Sequence, residues 1–214
     1  MLPRLVADPD PALAAARAVA ERVSRAGAPV QIAVASATAL GDCLDRLARI
    51  RLPWSSVGIW QVHERIVGET HDERDWTLLW GKLAVPAAFS GIPVDPGADA
   101  AGQRAAERYG AQIAAPPCRG VFDLVLLDLH PDGGIAAIDP GSPLLRERRD
   151  VAPLAGRGAA VTLTLPCIAR ARAILVLAEG GHRAAARRKL LAGDASIPAG
   201  RLRHPDFTVF AEGA

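Results

Sequence analysis

Lysine is almost missing from this 214-residue chain: Lys82 and Lys189 are the only two, so the 25 basic residues are nearly all arginine. Against 23 acidic residues they leave a formal net charge of +2 that is not gathered into a stripe, so charge gives no reason to expect a nucleic-acid partner. No run of about 18 apolar residues occurs, so no membrane span and no membrane partner are expected. The amino-terminal region carries Asp8, Asp10, Arg17, Glu21 and Arg22, too much charge for the apolar segment of a signal peptide, and a cytoplasmic protein is expected. The three cysteines, Cys43, Cys118 and Cys167, are odd in number and far apart, which points to reduced, packed thiols rather than disulfides or a cysteine metal site. Also absent are G-x-G-x-x-G, a Walker A sequence, H-E-x-x-H, G-x-S-x-G and any metal-ligand spacing of His, Asp and Glu. Neither a metal nor a cofactor is expected.

What is present is apolar: 50% of the residues are hydrophobic, enough for one sizeable core, and residues 1–214 read as a single domain. Asp10–Pro11 places an acceptor at an N-cap and proline at N1, and Leu13, Ala16, Val19, Ala20 and Val23 follow on one helical face. Apolar runs at 30–36, 57–62, 122–129, 161–165, 173–178 and 207–210 read as strands. Helical spacing is found at 40–48, 72–84, 101–114 and 181–192, and residues 85–100, rich in Pro, Gly and Asp, read as a loop. Strands alternating with helices, several of them apolar throughout, predict an α/β fold: a mostly parallel, doubly wound sheet with helices on both faces. Ligands of such sheets sit at the carboxyl ends of strands near the switch point, which directs attention to the loops after Ser36, Val62, Leu129 and Ala178.

Three windows carry a resemblance. They are FDLVLLDLHPDGGIAAIDPGSPLL at 122–145, VTLTLPCIARARAILVLAEGGHRAAARRKLLAGD at 161–194, and WSSVGIWQVHERIV at 54–67. Read together they resemble the 6-phosphogluconolactonase family and its relative glucosamine-6-phosphate deaminase. The order and spacing of the windows cover the chain from about Val30 to Phe210. The resemblance implies a Rossmann-like fold of that family and a sugar-phosphate substrate with no cofactor.

Several site positions depart from the family pattern. The Gly-rich loop S-G-G-S-T-P reads Ala35–Ser36–Ala37–Thr38–Ala39–Leu40 here, leaving the Ser36 and Thr38 hydroxyls as candidate substrate contacts. The tripeptide D-E-R becomes His63–Glu64–Arg65, with Glu64 and Arg65 retained; Arg65 is expected to pair with a substrate anion or with Glu64. In the motif G-x-G-x-D-G-H, the two glycines are Asp128 and His130, Asp132–Gly133 matches, and the family's general-base histidine is Gly134. A glycine takes no proton, so that mechanism cannot run through this position. The phosphate-binding lysine is Arg183, able to grip phosphate bidentately. The arginine that often precedes V-T-L-T-L-P is Ala160, with Arg157 nearby. The catalytic candidates are therefore Asp132, His130 and His63, and the substrate-binding candidates are Ser36, Thr38, Glu64, Arg65 and Arg183. His71, His182 and His204 are expected at the surface.

The first functional expectation is hydrolysis of a sugar lactone such as 6-phosphoglucono-1,5-lactone, weakened or altered by these replacements. A non-catalytic binding or regulatory homologue is the alternative, and a sugar-phosphate isomerase or deaminase a further one. The partner is expected to be a small sugar lactone or sugar phosphate, and the chain a monomer or homodimer.

Overall fold

The structure is a computed structural model that describes residues 1–27, 29–35, 38–83, 88–155 and 158–213. A short strand β1 (Arg4–Ala7) precedes helix α1 (Pro11–Arg25), which begins as its sequence dictates: Asp10 accepts a hydrogen bond from the Leu13 N–H at 3.0 Å, with Pro11 at N1. Ala12, Ala15, Ala16, Val19 and Val23 form its buried face. The fully buried strand β2 (Val30–Val34) leads to α2 (Gly41–Ala48), then to the equally buried β3 (Val57–Gln61) and the short β4 (His63–Arg65). Next come α3 (Asp75–Lys82), β5 (Ala88–Ser90), α4 (Gln103–Ala114) and β6 (Leu124–Asp128). The chain ends through β7 (Val151–Leu154), β8 (Ala160–Leu163), α5 (Leu165–Ala169), β9 (Ile174–Leu177), α6 (Ala184–Ala192) and β10 (Phe207–Ala211).

Seven strands form one sheet in the order β1-β10-β9-β6-β2-β3-β5, every pairing parallel. From β2 the chain winds one way through β3 and β5, and then returns on the other side through β6, β9 and β10. The switch point therefore lies between β2 and β6, and the crevice at their carboxyl ends is where a ligand is expected. Trp60 anchors the core beneath one face, its ring 6.0 Å from Tyr109 and 5.9 Å from Phe122.

The remaining strands differ from the sequence reading. β4, β8 and β7 form a separate antiparallel sheet, so the 161–165 run does not join the main sheet, and Leu165 instead opens α5. Pro153 lies in β7, an edge strand, where the missing N–H costs no ladder bond. β1, β4, β5 and β7 were not expected as strands; each has only three or four residues. Among the described residues, no helix is long and apolar enough to cross a membrane.

Candidate functional site

A cavity of about 610 Å³ opens at the switch point. Thr38 and Ala39 line it from the loop after β2, and His130 and Pro131 from the loop after β6. His63 and Arg65 contribute from β4, Asp72, Glu73 and Asp75 from the start of α3, Asp128 from the end of β6, and Arg183 from the turn before α6. Two cavities of about 600 and 860 Å³ lie at the amino ends of the strands. The first has no titratable side chain in its lining. Among the described residues, the second is lined by Arg25 and Arg119 and by two ion pairs, Arg22 with Asp206 and Arg172 with Asp123, but by no histidine. Convergent acid–base groups single out the cavity at the carboxyl edge.

Glu64 builds one wall without touching the space. Its side chain is fully buried, and its two oxygens accept five hydrogen bonds. Oε1 takes the backbone N–H groups of Arg65 and Asp75 at 3.0 and 3.1 Å. Oε2 takes the Gln61 amide, the Arg74 guanidinium and the Trp76 N–H at 3.0, 3.1 and 2.9 Å. Two of these donors are the first N–H groups of α3, so Glu64 caps that helix from a distant strand. The expectation that Glu64 contacts substrate is therefore corrected: its oxygens are already filled by the scaffold.

With α3 fixed in this way, its first residue meets His63: Nε2 lies 3.0 Å from Asp75 Oδ2. Burial opposes charging of this imidazole, but the hydrogen bond and charge of Asp75, backed by Asp128 and Glu64, outweigh it and raise the pKa. His63 Nδ1 is buried and has no hydrogen-bond partner among the described residues.

His130 forms the second imidazole–carboxylate contact, Nε2 to Asp128 Oδ2 at 3.2 Å. The approach is close but poorly aligned, leaving Asp128 Oδ2 without a well-directed donor. At that distance the attraction needs little alignment, and the contact with Asp128 raises the His130 pKa against the opposing effect of burial, with help from Asp132 and Asp139. One polar atom each of His130, Asp132 and Asp139 lie within 4.8 Å of one another, both carboxylates being exposed. We read this as an electrostatic surround for the imidazole.

The other candidates fall into place unevenly. Asp132 sits in the expected tight turn, where His130 N–H donates to Gly134 O at 3.1 Å and Gly133 N–H to His130 O at 3.0 Å. Its own Oδ1 accepts the Gly134 N–H at 2.8 Å, so it shapes the loop beside the cavity. Arg65 does not pair with Glu64 through its side chain; the guanidinium binds Glu73 at 2.7 Å. Arg183 reaches the cavity while donating to the Leu129 and Glu179 carbonyls at 2.6 and 2.7 Å. Thr38 is exposed at the cavity rim. Ser36 and Arg157 lie outside the described residues. His71 and His182 are exposed as expected, whereas His204 is buried, its Nδ1 accepting the Asp206 N–H at 3.0 Å. Sequence reasoning missed Asp72, Glu73 and Asp75 at the start of α3, and treated Asp128 only as a replaced glycine. The signal for Asp128 was its i, i+2 spacing to His130 at a strand end.

A doubly wound parallel α/β protein with an acid–base cleft at its switch point is the class these features define. The family model described as glucosamine-6-phosphate isomerases/6-phosphogluconolactonase matches residues 10–210. The chain belongs to this family. The 6-phosphogluconolactonase of Rattus norvegicus is 28% identical over 194 residues, covering 86% of this chain and 68% of that protein. The human one is 29% identical over 181 residues, covering 81% and 63%. That of Streptomyces coelicolor is 30% identical over 176 residues, covering 71% and 65%. The matched segments thus span roughly two thirds of these relatives' own lengths, from 63% to 68%. Among solved structures, the 6-phosphogluconolactonase of Trypanosoma brucei superposes with a TM-score of 0.83 at 24% identity, covering 98% of this chain and 96% of that one. A monomeric glucosamine-6-phosphate deaminase superposes with a TM-score of 0.82 at 19% identity, covering 99% and 97%. Both activities therefore share this fold, and the fold alone does not choose between them.

Proposed function

We propose that the chain hydrolyses a sugar lactone of the 6-phosphoglucono-1,5-lactone type, without a cofactor, as a single cytoplasmic unit, monomeric or homodimeric. The observation that carries this reading is the pairing of two imidazoles with two carboxylates in one cleft that also holds two arginines. An imidazole of near-neutral pKa takes a proton from water as the water attacks the ester carbonyl. Arg65 and Arg183 hold the substrate's anionic group, the Thr38 hydroxyl assists at the rim, Ser36 is a further candidate contact from the sequence, and Asp132 keeps the His130 loop in shape. His63 and His130 are the two candidates for proton transfer.

The test is a lactonase assay on the phosphorylated and unphosphorylated lactones, corrected for spontaneous ring opening. Acceleration of either over the buffer rate is expected, and no acceleration of both would overturn the reading. A specific observation favours one alternative, a binding homologue without turnover: both arginines already have partners inside the protein. Binding of 6-phosphogluconate without any turnover would select it.

A further inference from the structure

We infer that His130 is the base of the proposed hydrolysis and that Asp128 is the positioning residue that holds and tunes it. The inference rests on the lactonase reading and adds which imidazole takes the proton and what orients it.

The backbone makes the pair. Asp128 is the last residue of β6, and the chain stays extended beyond it, with Leu129 N–H donating to Leu177 O at 2.9 Å. Successive side chains on an extended chain point to opposite sides, so residues 128 and 130 share one side. The Asp128 side chain is 4% exposed, and that of His130 is 41% exposed. A buried carboxylate without a well-directed donor is costly, and among the described residues His130, at 3.2 Å, is the imidazole within ion-pair distance of it. Asp128 thus favours a proton on Nε2, which leaves Nδ1 as the nitrogen with the lone pair. No described residue hydrogen-bonds that atom.

Exposure decides between the two imidazoles. The His63 side chain is only 12% exposed, its Nε2 is bound to Asp75, and its Nδ1 is closed off from solvent. A base must meet water, and His130 does so while His63 does not. The charges around His130 are of both signs. Asp132 and Asp139 act from its own loop, and Asp72, Glu73 and Asp75 from the start of α3. His63 and Arg65 face the same space from β4, and Arg183 from the turn before α6.

In the step this arrangement supports, His130 Nδ1 takes a proton from water as the water oxygen bonds to C1 of the lactone. The carbonyl electron pair moves onto its oxygen. When that pair returns, the bond from C1 to the ring oxygen breaks, and the departing oxygen takes the proton back from Nδ1. The products are the hydroxy acid and a neutral imidazole.

Two readouts on wild type, Asp128→Asn and His130→Gln test the inference: a histidine-resolved NMR titration, and kcat/KM for 6-phosphoglucono-1,5-lactone against pH. In wild type His130 is expected to titrate above the usual value of about 6.5. In Asp128→Asn the titration and the rising limb of kcat/KM move together to lower pH, and kcat falls. His130→Gln lowers kcat by roughly 100- to 10,000-fold with little change in KM. A purely structural Asp128 would lower activity without moving either midpoint. An unchanged His130 titration in Asp128→Asn overturns the pairing whatever the activity. Full turnover in His130→Gln overturns the base assignment. If wild type does not accelerate the reaction while the titration still shifts, the lactonase reading fails and the base role with it, and the pairing alone stands. Should Asp128→Asn not fold, Asp128→Glu is expected to keep a raised His130 titration with reduced kcat, and an ordinary titration there overturns the pairing.

Discussion

His63 Nε2 and Asp75 Oδ2 are 3.0 Å apart across the junction of the small sheet and α3, in a setting where both side chains are nearly closed to solvent. The contact makes stability depend on pH in a defined direction. Its folded pKa is raised, so the stabilisation is fully present below the unfolded value of about 6.5 and is lost as pH rises through the folded value. His63→Gln is expected to cost about 1–3 kcal/mol at pH 5.5 and measurably less at pH 8.5. Urea denaturation of both proteins at the two pH values checks this. An equal loss at both would show that the pair is not charged in the folded protein.

Glu64 is expected to matter for folding more than for chemistry. Removing its carboxylate orphans five donors, including the Arg74 guanidinium, whose side chain is 10% exposed. Breaking a buried pair of this kind costs about 3–5 kcal/mol. Glu64→Ala should therefore lower the urea midpoint sharply or abolish soluble protein. A Glu64→Ala variant of wild-type stability with lost ligand binding would instead restore the substrate contact read from the sequence.

Much of the fold was legible because its signals are local. Asp10–Pro11 fixes the start of α1, and the apolar runs of β2, β3 and β6 are buried along their whole length. What stayed hidden depends on partners distant in the chain. The run at 161–165 announces a strand but not its sheet, since β8 finds β4 and β7 by antiparallel pairing. β1 was illegible because its apolar stretch is only three residues long, Leu5 to Ala7, and the strand lies at an edge and is largely exposed. In the site, the cavity positions of His63, His130, Arg65 and Arg183 followed from strand ends and the family resemblance. The direction of each side chain did not: Glu64 turns inward and Arg65 turns to Glu73, choices set by the approach of α3.

Anion binding is expected to be weak for a site of this kind. Arg65 is held by Glu73 at 2.7 Å, and Arg183 donates to two carbonyls, so a phosphate must compete for both. Calorimetric titration with 6-phosphogluconate should give a Kd weaker than about 1 μM, the equivalent of roughly −8 kcal/mol. Glu73→Gln removes the competing charge and should tighten binding several-fold, most clearly at low salt. Sub-micromolar affinity in wild type would mean that the arginines release their partners readily.

The loop that follows β6 offers a last comparison, between two adjacent glycines. Gly133 has φ +90°, and a Cβ there would lie 2.5 Å from Ile197 Cβ and 2.6 Å from its Cγ2. Those atoms are the root of a buried, β-branched side chain that cannot swing aside, and the backbone conformation itself disfavours any other residue. A Cβ on Gly134, where the family resemblance expects histidine, would meet Asp132 Oδ1 at 3.0 Å, Asp139 Oδ1 at 3.1 Å and Ile138 O at 3.2 Å. Both carboxylates belong to exposed residues and can move, and only the carbonyl is fixed. Gly133→Ala should therefore cost at least about 2–3 kcal/mol, and Gly134→Ala only about 1 kcal/mol. Because Asp132 Oδ1 also holds the Gly134 N–H, pushing it away disturbs the turn that presents His130. Gly134→His is thus expected to fold but not to raise lactone turnover above wild type, as read by thermal unfolding and the corrected lactonase assay. A large gain in turnover in Gly134→His would show that the cleft still accommodates a base at position 134 and that His130 had not taken its place.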